Sequence, residues 1–167
     1  MIPVYNVDSP TIPLLASKSS NIFRLFSSDT GLLTSAYPVE TKIELISHNG
    51  EVNNGAHFEN AVAQQLLANG FEPYFCKKNN LGEIDFLVEM GGKVVPIEVK
   101  SGKRYKSHKA LENYMEVPDY HIESAYVLST YNVEKDGRVI YLPIYMSYLL
   151  QEPKTEQLIV DFDMSGL

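Results

Sequence analysis

The chain has 167 residues, of which 44% are hydrophobic and 21% are charged, and its formal net charge is −7. This length and composition indicate one globular domain that is large enough to bury a conventional core. The single cysteine, Cys76, excludes an intrachain disulfide and favours a reducing, intracellular setting.

No apolar run approaches the ~18 residues that a membrane-spanning helix needs, and the first residues lack the basic flank of a signal peptide. We therefore expect a cytoplasmic protein with no membrane partner. The acidic net charge disfavours a protein that coats nucleic acid over its whole surface, although it permits a local basic patch. The sequence has no G-x-x-x-x-G-K-[ST] motif, so this chain carries no P-loop.

The composition of residues 1–49 predicts an N-terminal extension that packs on the core. They are rich in Pro, Ser and Thr and contain only short apolar runs. Within them, Ile22–Phe26 is a candidate strand. Ser28 or Asp29 is a candidate cap for a short helix that follows.

Residues 50–150 show a sharper pattern and predict the core domain. Period-2 and helical spacings occur there in the order helix, strand, strand, strand, helix, strand: Ala56–Asn69, Phe71–Lys77, Glu83–Met90, Val94–Lys100, Ser107–Val117 and Ser124–Ser129. Gly70 is placed to end the first helix, and Gly91-Gly92 to turn a hairpin between two strands. Pro73 predicts an edge position for its strand. The order of elements predicts an α/β domain with a mixed sheet flanked by helices.

Three further predictions concern the remaining segments. Arg138–Leu142 is a candidate strand, and a tyrosine-rich stretch through Leu150 is a candidate helix. Residues 151–167 predict a C-terminal tail, in which Gln157–Phe162 is a candidate edge strand. Cys76 is expected to be a buried thiol of the core.

The predicted hairpin brings two carboxylates together. A turn centred on its two glycines places Asp85 opposite Glu98 and Glu83 opposite Lys100. Opposed residues have Cβ atoms about 5 Å apart, and like charges there are destabilising. A divalent cation would remove the repulsion, because Mg²⁺ is held by one or two carboxylates together with water and phosphate oxygens. The alternative is a solvated sheet face on which charged and apolar residues alternate.

Lys100 and Glu59 complete the candidate site. Lys100 lies on the same predicted face as Glu98, where its ammonium would offset negative charge at an attacking water or a scissile phosphate. Glu59 falls within the apolar arc of the first helix, and a buried carboxylate needs a cation or a proton. Packing of this helix on the sheet would bring Glu59 to the acid pair; alternatively, Glu59 reaches solvent from the first turn.

The other polar residues of that helix are assigned to its outer side. Asn60 and Gln64 lie opposite the apolar arc. His57 is expected to be an exposed residue of the first turn.

A basic run follows the hairpin. The ten residues from Lys100 onward contain five Lys or Arg residues and one His, with no acid. Positive charge at the start of a helix opposes the helix dipole, and a bound phosphate would relieve this conflict. A DNA backbone held here would lie beside Lys100. The candidate phosphate-binding residues are therefore Lys103, Arg104, Lys106 and Lys109; the alternative is a solvated basic loop.

The candidate site resembles a known constellation. Asp85, Glu98-Val99-Lys100 and the upstream helical Glu59 resemble the PD-(D/E)XK nuclease-like superfamily. This resemblance implies a restriction-endonuclease-like αβββαβ core in which Asp85 and Glu98 bind the metal, Lys100 is the catalytic lysine and Glu59 is an auxiliary acid. The chain departs from the pattern in having Ile84 before the aspartate.

A second resemblance covers more of the chain, from about Pro10 to Leu150. Strings such as FENAVAQQLLANGF and EIDFLVEMGGKVVPIEVKSGKRYKSHKAL are similar to the C-terminal, uncharacterised nuclease-like domain of a group of prokaryotic AAA-type ATPases. The nuclease-like constellation implies a domain that hydrolyses DNA phosphodiester bonds with Mg²⁺ or Mn²⁺, and the second resemblance implies an AAA-type ATPase module as a partner. The alternative is a non-catalytic module that binds nucleic acid or a partner for such an ATPase.

Overall fold

The computed structural model describes residues 1–47 and 54–153. Its strands are β1 Ile2–Val7, β2 Lys18–Phe26, β3 Tyr74–Lys78, β4 Gly82–Met90, β5 Lys93–Val99, β6 Ala125–Ser129, β7 Glu134–Asp136 and β8 Val139–Pro143. Its α-helices are α1 Thr30–Ser35, α2 Val39–Ser47, α3 Gly55–Ala68 and α4 Lys109–Met115. Short 3₁₀ helices lie at Leu14–Ser17, Pro118–Tyr120 and Ile144–Leu149.

The eight strands form one mixed sheet in the order β2-β1-β3-β4-β5-β6-β8-β7. The predicted mixed α/β class is therefore confirmed. β3, β4 and β5 pair antiparallel, whereas β5, β6 and β8 pair parallel. None of the helices within residues 1–47 and 54–153 has both the length and the apolar character that a bilayer crossing requires.

Two hydrophobic clusters lie on the two faces of the sheet, because neighbouring residues of a strand point to opposite sides. One cluster joins α3 to the sheet through residues such as Leu66, Phe86 and Ile97. The other joins α4 to the sheet through residues such as Tyr114 and Leu87. The buried Cys76 belongs to the second cluster, as predicted.

The N-terminal segment contributes strands to the same sheet. β1 pairs antiparallel with β2 and parallel with β3, so residues 2–26 extend the core sheet. β1 was not predicted from the sequence. The short helix α1 begins where it was predicted, and the Asp29 carboxylate accepts a hydrogen bond from the backbone N–H of Leu32 at 3.0 Å.

Several predicted boundaries change in the structure. β3 lies inside the sheet between β1 and β4, so the edge position inferred from Pro73 is wrong. Pro73 precedes the strand, where its missing N–H removes no ladder hydrogen bond. The tyrosine-rich stretch forms the 3₁₀ helix Ile144–Leu149, and α4 is shorter than predicted. The candidate strand Gln157–Phe162 lies outside the described residues.

β4 contains a bulge at the candidate site. Ile84 pairs with Cys76 and Leu87 pairs with Tyr74, so Asp85 and Phe86 together oppose the single residue Phe75. As a result, Ile84 packs in the cluster of α4, whereas Phe86 packs in the cluster of α3. A bulge changes the direction of the side chains around it, and bulges are frequent beside active sites. The strict alternation expected for this strand therefore fails at Asp85.

Asn60, which was assigned to the outer side of its helix, is buried. Its carbonyl oxygen accepts a hydrogen bond from Ser27 N at 2.7 Å, and its amide donates to Ser27 O at 3.2 Å and to Thr30 Oγ1 at 3.2 Å. The outer side of α3 is thus covered by the segment that joins β2 to α1. This segment supplies the polar partners that a buried amide requires.

We expect Asn60→Ala to destabilise the protein by about 2–3 kcal/mol, because the substitution leaves the half-buried backbone N–H and C=O of Ser27 without their partner and creates a space at a buried position. Urea unfolding followed by circular dichroism measures the change. Asn80→Ala, at an exposed position in the β3–β4 turn, is the matched control. Equal stabilities of the two variants would contradict the structural role of Asn60.

Candidate active site

The β4–β5 hairpin positions the two central acids. Phe86 pairs with Ile97 and Leu87 with Pro96, the register predicted from the glycine turn. The pairing ends at Phe86, and the preceding residue Asp85 accepts, through its Oδ2 atom, a hydrogen bond from the backbone N–H of Val99 at 2.8 Å. The Asp85 carboxylate is therefore held against the end of β5, one residue from Glu98.

Glu98 and Lys100 form the second part of the site. The Lys100 Nζ atom lies 2.6 Å from Glu98 Oε1, and the side chain of Glu98 is only 7% exposed. The other carboxylate oxygen, Oε2, is buried and has no hydrogen-bond partner among the described residues. Burial of an unpaired carboxylate oxygen is costly, so this atom is available to a bound cation.

Arg24 is a residue of the site that the sequence reasoning missed. It lies on β2, and its guanidinium packs over the Phe75 ring at 4.5 Å from the ring centroid. Its Nη1 atom is 4.0 Å from Asp85 Oδ1, and its Nη2 atom is paired with Glu83. Glu83 also pairs with Lys77 at 2.9 Å, so its ion pairs are with Arg24 and Lys77 rather than with the predicted Lys100. No local sequence signal connects Arg24 to a hairpin some sixty residues away.

Burial raises the pKa of all three acids, and the charge of Asp85 adds to the rise at Glu98 and Glu59. Burial is the largest cause for Glu98, whose pKa is raised to about 7, and the charge of Asp85 adds to it, while the Lys100 ammonium acts in the opposite direction. Burial also raises the pKa of Asp85, against the hydrogen bond from Val99 and the charges of Arg24 and Lys100. The pKa of Glu59 is raised by burial and then by the charge of Asp85. Such shifts are typical of functional sites.

An open cleft of about 630 Å³ adjoins the acids. Its walls come from the first turns of α3 and from the loop after β5, and they include Glu59, Lys100 and Arg104. Asp85 and Glu98 do not line this cleft; they lie next to Val99 and Lys100, which do. The structure thus brings Glu59, Lys100 and Arg104 together at one surface, with the acid pair adjacent.

The basic run is only partly available to a ligand. Lys103, Arg104 and Lys109 are exposed and have no ion pair within the described part of the chain. Lys106 Nζ, in contrast, lies 2.6 Å from Glu134 Oε1 on β7. Only Lys109 of the run lies in α4, so most of these charges precede the helix instead of occupying its first turn.

An aromatic contact fixes the loop that carries the basic run. The Tyr105 ring stacks on Tyr131 at a centroid distance of 4.2 Å and meets the Tyr141 ring edge-on at 5.7 Å. The buried His108 is hydrogen-bonded through Nε2 to the Tyr141 hydroxyl at 2.7 Å. These contacts attach the loop to β8 and to the loop after β6, and thereby hold Arg104 at the cleft.

The acids fit a divalent metal ion in part. Asp85 and Glu98 provide two adjacent carboxylates, one with an unpaired buried oxygen, and Mg²⁺ usually binds one or two carboxylates plus water. Within residues 1–47 and 54–153, no group of three or more His, Cys, Asp or Glu side chains is arranged as a metal site. The arrangement therefore suits an ion that keeps several waters, as Mg²⁺ does, better than a fully protein-ligated ion such as a structural zinc.

The fold and these acids define a mixed α/β domain with an acidic site beside a cationic cleft. A family model described as a domain of unknown function, DUF4143, matches residues 54–146, which are more than half of the chain. The chain therefore belongs to this domain family. Comparisons with curated proteins and with solved structures give no match. All the site residues predicted from the sequence lie within the matched region, whereas Arg24 lies outside it.

The raised pKa of Glu98 predicts how stability depends on pH in metal-free protein. The folded state holds a proton on Glu98 up to about pH 7, whereas the ordinary glutamate value is 4.5. Glu98 therefore contributes a destabilisation that grows as the pH rises through this window. We expect Glu98→Gln to stabilise the protein by about 1–3 kcal/mol above that window, and to lose the advantage below it.

Urea unfolding in the presence of a chelator, at pH values on both sides of the window, measures this effect. Glu116→Gln is the matched control, because Glu116 is exposed at the end of α4. If the free energies of unfolding of the wild type and Glu98→Gln change with pH in the same way, the surroundings of Glu98 do not raise its pKa.

Proposed function

We propose that this domain is a Mg²⁺- or Mn²⁺-dependent nuclease that hydrolyses phosphodiester bonds of DNA. One observation carries the proposal: Asp85, Glu98, Lys100 and Glu59, which come from a hairpin and a separate helix, converge beside one cleft. Two adjacent, largely buried carboxylates next to a lysine form a set suited to holding a cation and a phosphate together. A sheet face that serves only solubility has no need to bury such a set.

Asp85 and Glu98 are the proposed metal ligands. When bound, Mg²⁺ supplies a Lewis acid that polarises a phosphoryl oxygen and lowers the pKa of a bound water. The chain's own contribution is to hold the two carboxylates rigidly: Val99 N–H fixes one through a hydrogen bond, and Lys100 fixes the other through an ion pair. Rigid ligands need no rearrangement when substrate arrives.

Lys100 and Glu59 act on the substrate side of the acids in this proposal. Both line the cleft, so both reach a phosphate that lies there. The Lys100 ammonium offsets the negative charge that develops on the phosphoryl oxygens as water attacks phosphorus and the bond to the leaving oxygen breaks. Glu59, whose pKa is raised by burial and by the charge of Asp85, orients the attacking water.

The proposed ligand is the backbone of DNA. Arg104 lines the cleft, and Lys103 and Lys109 are exposed on the same loop and at the start of the next helix. Cations at these positions neutralise successive phosphates, and the acidic remainder of the chain limits contact to this region. Lys106 contributes less than predicted, because Glu134 already neutralises it.

We further propose that the fold is restriction-endonuclease-like and that the domain belongs to the PD-(D/E)XK superfamily. The support is the element order α3-β3-β4-β5-α4-β6, which matches the αβββαβ order of that core, with the acids on its second and third strands. The resemblance to the C-terminal domains of AAA-type ATPases supports an ATPase module as the partner.

A second candidate function is a non-catalytic module that binds nucleic acid or a partner for such an ATPase. The observation that favours it is the presence of two cations at the acids: Lys100 on Glu98 and Arg24 near Asp85. In such a module these ion pairs would be structural, and the basic loop would bind DNA without cutting it.

Cleavage assays separate the two functions. Duplex, single-stranded and branched DNA are incubated with the pure chain and Mg²⁺ or Mn²⁺, and then with a chelator. We expect metal-dependent cleavage, and a loss of about 100-fold or more in rate for each of two variants. Asp85→Asn weakens the proposed metal site, and Lys100→Ala removes the cation that offsets the developing negative charge. Asp119→Asn and Lys135→Ala, both at exposed positions, are the matched controls.

Two results would contradict the nuclease proposal. Cleavage that survives Asp85→Asn or Lys100→Ala would come from a contaminating enzyme. Binding of DNA by wild-type protein with no cleavage under any metal would select the non-catalytic module.

A metal titration provides an independent measurement. Because Glu98 retains its proton up to about pH 7, a bound cation must displace that proton. We expect the affinity for Mn²⁺ to rise by up to about tenfold per pH unit below pH 7 and to level off above it, with proton release on binding. Calorimetry in two buffers of different ionisation enthalpy measures both. Unchanged affinity across this range, or affinity retained by Glu98→Gln, would remove Glu98 from the set of ligands.

A further inference from the structure

A second pocket, of about 500 Å³, lies next to the cleft. Its walls come from the start of α3, from α1 and α2, and from the loops after β5 and β6. Ser101 lines both the cleft and this pocket. Along the start of α3 the residues divide between the two: Gly55, Ala56 and Glu59 face the cleft, whereas Asn54, His57 and Phe58 line the pocket. The pocket is therefore a side chamber of the cleft.

The wall of this side chamber contains unused hydrogen-bonding capacity. Asn54 Oδ1 and His57 Nε2 are both buried and have no hydrogen-bond partner among the described residues. The Asn54 side chain also makes no cap hydrogen bond to α3, although it occupies the cap position. Asn54 and His57 both line the pocket, so their side chains lie next to any ligand that occupies it. His57 was expected to be exposed, whereas the structure leaves the residue half-buried, with its Nε2 atom buried.

The rest of the wall suits a flat, partly apolar ring. Phe58 and Leu45 provide apolar surface, and Thr34, Ser101 and Thr130 provide hydroxyl groups. The size falls within the range of small-molecule sites, which combine apolar walls with a few placed polar groups. A nucleobase has this combination: an apolar ring face and an edge of hydrogen-bond donors and acceptors.

We propose that the side chamber binds one unpaired base of the DNA strand whose phosphate lies in the cleft. This inference rests on the proposed function, because it takes the cleft as the phosphate site. The Asn54 carbonyl accepts a hydrogen bond from an exocyclic amine of the base, and His57 pairs with a ring nitrogen or a carbonyl oxygen. A base in a duplex cannot enter the chamber without leaving its stack. The preferred substrates are therefore single-stranded or branched DNA with an unpaired nucleotide at the scissile position.

Binding to strands that carry a single base tests the proposal. The probes are labelled oligonucleotides built entirely from abasic nucleotides, and the same strands with one adenine, cytosine, guanine or thymine in the middle. Fluorescence anisotropy is measured with Ca²⁺ in place of Mg²⁺, so that the strands are not cut. Because the protein can slide along the strand to the base, the test needs no fixed binding register.

We expect at least one of the four bases to raise the affinity of the wild-type protein by about tenfold, the gain typical of one base held by a protein. His57→Ala and Asn54→Ala should remove this gain while binding the fully abasic strand as before. Asn80→Ala, in the β3–β4 turn, should keep the gain. Circular dichroism of each variant confirms that α3 remains folded.

Three outcomes would overturn the proposal: equal affinity of the wild type for abasic and single-base strands, a gain that persists in both variants, or no binding of either strand. These outcomes are separate from a failure of the nuclease. A protein that shows the base-dependent gain but cleaves no DNA would retain the base site and lose the catalytic assignment.

Discussion

Two carboxylates that share the open end of one hairpin are the constraint on which the rest of the site depends. Asp85 and Glu98 are both largely buried; burial raises the pKa of each, and the charge of Asp85 raises the pKa of Glu98 further. Two buried negative charges cannot coexist at neutral pH without a proton or a cation between them. Lys100, Arg24 and the Val99 N–H all lie where they offset the negative charge of these carboxylates.

The cations at the acids decide which chemistry the site can perform. Lys100 contacts one oxygen of Glu98, and Arg24 lies 4.0 Å from Asp85. Among the described residues, the other Glu98 oxygen and the Arg24 Nη1 atom have no hydrogen-bond partner. The Lys100–Glu98 pair and the Arg24–Asp85 pair thus each include a polar atom that lacks a hydrogen-bond partner among the described residues. An incomplete set of ion pairs in a buried site leaves room for a further ligand, whereas a purely structural network tends to satisfy all of its members. This is the physical basis for preferring the enzyme over the binding module.

The N-terminal segment is part of the site as well as of the sheet. β2 supplies Arg24, and the segment after it covers α3 through the hydrogen bonds between Asn60 and Ser27. These contacts set the position of α3, whose first turns carry Glu59 and the wall of the side chamber. The match to the DUF4143 family begins at residue 54, so this supporting segment lies outside the matched region.

The sequence by itself determined the features that local rules control. Two glycines fixed the β4–β5 register and hence the meeting of Asp85 with the end of β5, because the geometry of a tight turn sets the pairing of its strands. Gly70 and Asp29 likewise marked the ends of two helices through the conformation and the hydrogen bond that those ends require. The mixed α/β class followed from the order of helical and period-2 segments.

Only the tertiary structure decided the features that join distant segments. The bulge at Asp85 arises from pairing with β3, the burial of Asn60 from the segment after β2, and the neutralisation of Lys106 from Glu134 on β7. The approach of Arg24 to Asp85 depends on the way β1 and β2 extend the sheet. None of these contacts leaves a periodic or local signal, because their energies come from partners that are remote along the chain and are brought together only by folding.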